Sequence, residues 1–182
     1  MKEAYIKFMA EINQTTTNAL QRTIKEKVED GVEAIHLIIS SSGGKITPAF
    51  DVREFLKEQK IPIYTYNFSQ VGSSAILIFC SGKQRFSANN AFFFLHPTYV
   101  EFQNNETQNE EVFKSKLDSL LNDQRKIAHV ISDTTKKPID EILKDMEERT
   151  FLNSEDAKEY GLIHEIKSIV IPANADLSFI GK

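Results

Sequence analysis

Two stretches of this chain share one pattern: a short apolar run, a turn of small residues, then an amphipathic or apolar helix. Residues 34–40 carry Ile35, Leu37, Ile38 and Ile39 and run into Ser40-Ser41-Ser42-Gly43-Gly44. Residues 61–66, with Pro62 near their start, lead to Gly72-Ser73-Ser74-Ala75 and the apolar segment 76–80. Runs so short and so apolar predict buried strands, and the glycine and serine clusters predict tight turns. The segment after Gly44, with Phe50, Val52, Phe55 and Leu56, has helical spacing, and residues 76–80 read as a buried helix. Strands that alternate with helices need crossover connections, which makes the sheet parallel or largely so and the class α/β.

The rest of the chain fits that frame. Residues 5–9 alternate as a strand, and Thr15, Thr16 and Thr17 offer caps for a helix that runs to about Asp30 and stops at Gly31. Leu20, Ile24 and Val28 fall on one face of it. Residues 82–86 and 91–95 predict short strands around an Asn89-Asn90 turn. Residues 103–108 are polar and predict a disordered loop. A long, charged helix is expected over residues 109–133, with Val112, Leu117, Leu120, Leu121, Ile127 and Val130 as a thin apolar stripe that projects and packs on a partner. Pro138 opens a helix over 139–148, Asn153-Ser154-Glu155-Asp156 caps a short one ending at Gly161, and residues 162–171 supply a last strand or two. Without repeats or low-complexity segments, residues 1–182 predict a single domain.

Charge and composition narrow the function. The net charge of -4, from 22 basic and 26 acidic side chains, argues against a broad nucleic-acid footprint. One cysteine, Cys80, allows no intrachain disulfide, and its place at the end of an apolar run predicts an inert buried thiol. The first residues lack the apolar core of a signal peptide, and the longest apolar run, 75–80, is too short to span a bilayer. A soluble cytoplasmic protein is therefore expected. No metal-ligand spacing, phosphate loop or dinucleotide fingerprint is present, so no metal or other cofactor is expected.

Two residues stand out chemically. Ser73 follows a strand and a glycine and precedes an apolar helix, where free backbone N–H groups favour an anion. The Ser74 N–H and the Gly43-Gly44 turn could then supply oxyanion donors. Taken alone, Ser73 reads more readily as an ordinary helix cap, and Gly43-Gly44 as an ordinary turn. His96 ends an apolar strand and is released into a loop, a suitable place for a general base, though a structural histidine fits there too. His36 lies inside a strand pattern, His129 on the charged helix, and His164 beside the last strand.

In this order, these elements resemble the Clp protease proteolytic subunit. Ile39-Ser40-Ser41-Ser42-Gly43-Gly44 is similar to the family's I-N-S-P-G-G, and Gln70-Val71-Gly72-Ser73-Ser74-Ala75 to the Q-A-A-S-M-G around its nucleophile. Phe94-Leu95-His96 resembles the M-I-H that carries the base. The charged helix stands where the family has the handle that pairs two rings. Phe151-Leu152 through Ala157-Lys158-Glu159-Tyr160-Gly161-Leu162-Ile163 resembles F-L-S-A-x-E-A-x-E-Y-G-L-I.

The resemblance implies the ClpP/crotonase fold of stacked ββα units and peptide-bond hydrolysis inside a chamber of homo-oligomeric rings. Ser73 would be the nucleophile, His96 the base, and the backbone N–H groups of Gly44 and Ser74 the oxyanion hole. A peptide or unfolded-protein substrate would lie as an added strand beside the Gly-Gly turn and the segment after His96.

Three departures accompany it. Arg149 occupies the position of the family's catalytic aspartate, leaving Glu148, Glu147 and Asp145 as the nearest carboxylates, with Glu148 the candidate acid. The family's axial N-terminal segment, which engages a Clp-type ATPase, has no counterpart before Tyr5. Pro97-Thr98 replaces the family's Gln-Pro after the base. Arg149 also admits a second reading, a ring subunit with a structural or regulatory role. A crotonase-type acyl-CoA enzyme shares the two-donor oxyanion hole but leaves Ser73 and His96 unexplained.

Overall fold

The computed structural model describes residues 2–99 and 109–181. Its frame is an eight-stranded sheet of β1 (Glu3–Met9), β2 (Ala34–Ser41), β3 (Ile63–Gly72), β4 (Gln84–Ser87), β5 (Phe92–Phe94), β6 (Phe151–Asn153), β7 (Glu165–Ile166) and β8 (Asp176–Gly181). The main path runs β6-β5-β3-β2-β1-β8, with β4 joined to β3 and β7 to β4. Every pairing is parallel except β5 with β6, as the strand–helix alternation requires. The two short strands flanking Asn89-Asn90 do not pair with each other; both lie parallel to β3, one beyond the other.

Side-chain alternation divides the sheet into two faces. Ile6 and Phe8 of β1, Leu37 and Ile39 of β2, and Val71 of β3 share one core with Leu20 and Ile24 of α1 (Gln14–Glu29), Val52 and Leu56 of α2 (Ile46–Glu58), and Ile76 and Phe79 of α3 (Ala75–Phe79). Phe79 and Phe93 meet edge to face at 4.9 Å inside it. Each fully buried ring of this kind contributes about 2–3 kcal/mol through apolar burial. The opposite face carries a second cluster of Tyr5, Ile38, Tyr66 and Phe86, over which Ile169 and Ile171 of the C-terminal segment pack.

Several local details differ from the sequence reading. The cap of α1 is Asn13, not one of the three threonines; its side chain accepts from the Thr16 N–H, and Thr16 Oγ1 accepts from the Asn13 N–H at 3.1 Å, closing a capping box. The last strand, β8, lies beyond residues 162–171 and pairs with β1. The predicted loop over 103–108 lies outside the described residues. The charged helix is α4 (Glu110–Thr135), capped by Asn109, and α5 (Ile139–Glu147) and α6 (Ser154–Glu159) follow as expected. The inner end of α4 enters the core through Ile127 and Ile131, while Leu117 and Leu121 farther out are about half exposed at 54% and 47%. No helix among the described residues is long and apolar enough to cross a membrane.

Candidate active site

The C-terminal ends of parallel strands are where loops converge and ligands enter such sheets. Three of those ends meet here. Gly72 pairs with Phe94, and the next N–H, that of Ser73, donates to the Phe94 carbonyl at 3.1 Å. Ser73 therefore leaves β3 just as the chain leaves β5 for His96. The third end is that of β2, whose glycine turn folds directly against Ser73. A Cβ built on Gly43 would lie 2.6 Å from Ser73 Cβ and 2.8 Å from the Gly72 carbonyl oxygen. Only glycine permits that approach, and at φ 107° only glycine takes the backbone without strain.

Ser73 itself is held at φ 52°. Left-handed backbone in a non-glycine residue costs of order 1 kcal/mol or more and persists where the surroundings fix it. The strain turns the chain sharply from β3 into α3. The residue in the cap position of α3 is Ser74, whose fully buried hydroxyl reaches across to the Gly44 carbonyl at 3.1 Å. The reading of Ser73 as an ordinary helix cap thus does not apply.

The backbone donors named from the sequence lie on these two loops. Gly44 forms an isolated parallel bridge with Ile12 that uses the Gly43 carbonyl and the Lys45 N–H, both at 2.8 Å, and leaves the Gly44 N–H outside the pairing. The Ser74 N–H stands at the open start of α3, where no intrahelical acceptor precedes it. Among the described residues, neither N–H has a hydrogen-bond acceptor. An open cleft of about 300 Å³ lies at the junction, lined by Glu11, Gly44, Lys45, Ser73, Thr98 and Tyr99. It is within the range of small-ligand sites.

His96 is half-buried, with its ring 4.9 Å from that of Phe94. Its Nδ1 lies 2.7 Å from the carbonyl oxygen of Pro97. A carbonyl can only accept, so Nδ1 is the donor in this contact, and in the neutral ring that tautomer leaves the lone pair on Nε2. Among the described residues, no hydrogen bond joins Ser73 to His96, and no carboxylate forms an ion pair with the ring. Such bonds often form only in the substrate complex.

Among the described residues, the carboxylates suggested as an acid have other neighbours. Asp145 accepts a short hydrogen bond from the Tyr160 hydroxyl. Burial, followed by that bond, pushes the Tyr160 hydroxyl well above its ordinary pKa. Glu148 caps α5 and lies 3.7 Å from Lys144 on the surface. Glu147 is exposed in a groove shared with Leu121 and Gln124 of α4. Arg149, where the resemblance places an aspartate, has φ 59° and holds its guanidinium 6.0 Å from the Phe94 ring centroid. The stacking of Phe151 on Phe94 at 4.1 Å, set by their opposite places in the antiparallel β5–β6 pair, was not foreseen.

Away from this junction, Cys80 is buried in the core, and burial raises its thiol pKa, consistent with an inert side chain. Among the described residues, no group of three or more histidine, cysteine or acidic side chains could hold a metal ion.

Comparison with known proteins identifies both family and fold. The Clp protease family model matches residues 1–169. A point mutant of ClpP1 from Listeria monocytogenes superposes with a TM-score of 0.80 at 20% identity, covering 91% of each chain. The architecture described above is therefore the ClpP fold.

Proposed function

This chain belongs to the Clp protease family, and from that premise we propose that it is a serine peptidase whose nucleophile is Ser73 and whose base is His96. The observation that carries the reading is the convergence of three strand ends: a strained serine, a histidine with a free Nε2, and a glycine turn packed against the serine.

In the proposed reaction, Ser73 Oγ attacks the scissile carbonyl carbon while its proton passes to His96 Nε2. The electron pair moves onto the carbonyl oxygen, which the Gly44 and Ser74 N–H groups receive. Each such donor contributes about 3–4 kcal/mol to the transition state. His96 then returns the proton to the departing amine, and water repeats the sequence on the acyl-enzyme. The substrate is a peptide or an unfolded segment lying along the cleft as an added strand.

The proposal extends to assembly. Homo-oligomeric rings would close a chamber around the site, with the outer part of α4, bearing Leu117 and Leu121, as a ring-to-ring contact. A cytoplasmic location suits this chemistry.

A serine-directed fluorophosphonate tests the reading. It should label the folded protein at Ser73, and Ser73→Ala should abolish labelling. Folded wild type that takes up no label contradicts it.

One observation favours a second reading, a structural or regulatory ring subunit: a cation at the family's acid position, resting against Phe94 beside His96. An inert wild type that becomes active as Arg149→Asp would establish that reading instead.

A further inference from the structure

We propose that the group which orients His96 is the main-chain carbonyl of Pro97, so that Ser73 and His96 work as a dyad positioned by backbone with no carboxylate. This rests on the peptidase reading above.

The argument begins with the dipeptide itself. Proline has a fixed φ, and the residue before it is confined to extended backbone, so His96-Pro97 is stiffer than any other pair at this strand end. The next residue is fixed independently. Thr98 Oγ1 donates to the Leu120 carbonyl of α4 at 3.1 Å. The Pro97 carbonyl lies between these two restraints, and it meets Nδ1 at 2.7 Å.

An orienting acid has two duties: to fix the tautomer that leaves Nε2 unprotonated, and to stabilise the imidazolium. A carbonyl performs the first fully, because it can only accept. It performs the second only through its dipole. The chain is therefore a slower, permanently poised hydrolase.

Arg149 also becomes intelligible. With no carboxylate to accommodate, its position is free for a cation held against Phe94. Ser73 donates its proton to Nε2, and the Nδ1 proton stays shared with Pro97 throughout, so no proton has to be carried farther.

The test reads the tautomer and the rate separately. In the resting wild-type protein, 15N NMR of the ring nitrogens, with His96 assigned by its loss in His96→Asn, should show neutral His96 protonated at Nδ1. Protonation at Nε2, or an averaged mixture, overturns the proposal. Replacing Thr98 by its α-hydroxy analogue turns the Pro97 carbonyl into an ester, a weaker acceptor. Among the described residues the Thr98 N–H donates to nothing, so no bond within the protein is lost; a change of the His96 tautomer in the same variant, read by 15N NMR, separates a weakened orienting bond from a lost substrate contact.

In that variant, kcat/KM should fall about tenfold with fluorophosphonate labelling of Ser73 retained. A rate within twofold of wild type overturns the proposal. Arg149→Asp should shift kcat/KM less than tenfold; a gain of a hundredfold or more would mean that a carboxylate had been missing, and overturns it too. Absence of labelling in wild type defeats the peptidase reading instead, and the NMR result still reports the orienting bond.

Discussion

His36 and His96 both sit among aromatic rings, and of the two His36 has the surroundings more often associated with a catalytic base. It lies in mid-β2, stacked on Tyr5 at 4.7 Å, with Nδ1 paired to the Tyr66 hydroxyl at 2.9 Å and Nε2 3.4 Å from the Glu3 carboxylate. That last contact is ionic in distance but lacks hydrogen-bond geometry, since Nε2 is buried without a hydrogen-bond partner. His96 has one backbone carbonyl and no carboxylate among the described residues. Yet His96 follows the end of β5, which pairs with the end of β3 at Ser73, and Ser73 and Thr98 line the cleft there, whereas His36 is enclosed on the sheet face by regular parallel register. A carboxylate beside an imidazole marks a satisfied histidine as readily as a working one. The strained backbone at the strand ends is what supports the proposed role of Ser73 and His96.

The contrast predicts opposite responses to substitution. His96→Ala should lower peptide hydrolysis at least about 100-fold, since a serine–histidine unit working without its acid retains roughly that share of its advantage. His36→Gln should leave kcat/KM within about threefold. Equal losses from both would erase the distinction.

Gly44→Ala tests the strand-end region through its backbone. The added Cβ would meet the Ile12 carbonyl oxygen at 2.2 Å, at a φ of 147°. A stability loss of about 2–3 kcal/mol is expected, measured by denaturant unfolding, together with lost labelling of Ser73.

Tyr66→Phe probes the other region. Burial above all, and then neighbouring Tyr5 and Glu3, raise the Tyr66 hydroxyl to about 12, so it remains a neutral partner for His36. Its loss leaves Nδ1 unpaired and should cost about 1–2 kcal/mol of stability with activity retained.

The smallest effect is the response to acid. Burial, outweighing the Glu3 charge, lowers the His36 pKa below its ordinary 6.5, and burial with the Arg85 charge does the same for His164. The unfolded chain then binds protons more readily than the folded one. Stability from these groups is full above about pH 6.5 and declines as pH falls toward their lowered folded values. Thermal unfolding followed below pH 6.5 should show a shallower decline in His36→Gln than in wild type.

Much of this was legible in the sequence because it is encoded locally. The apolar runs around Leu37 and Thr65 announce parallel strands, and Gly43-Gly44 and Gly72-Ser73 announce the turns at their ends. The features that escaped are set by distant or main-chain partners. β8 alternates exposed Leu177 and Phe179 and exists by pairing with β1 from the far end of the chain, so no local apolar run marks it. Asn13 displaced the threonines as cap because Thr16 serves as the other half of the box. The Pro97 carbonyl could not be anticipated, since every residue carries one. The positive φ of Arg149 has no residue-type signature either.

Ser73 is the pivotal residue, and the most direct measurement is hydrolysis of short fluorogenic peptides by purified wild type beside Ser73→Ala. Wild type should cleave measurably, and Ser73→Ala should lose that cleavage with the fold unchanged by circular dichroism. Equal rates in the two proteins, or a wild type indistinguishable from buffer, would contradict it.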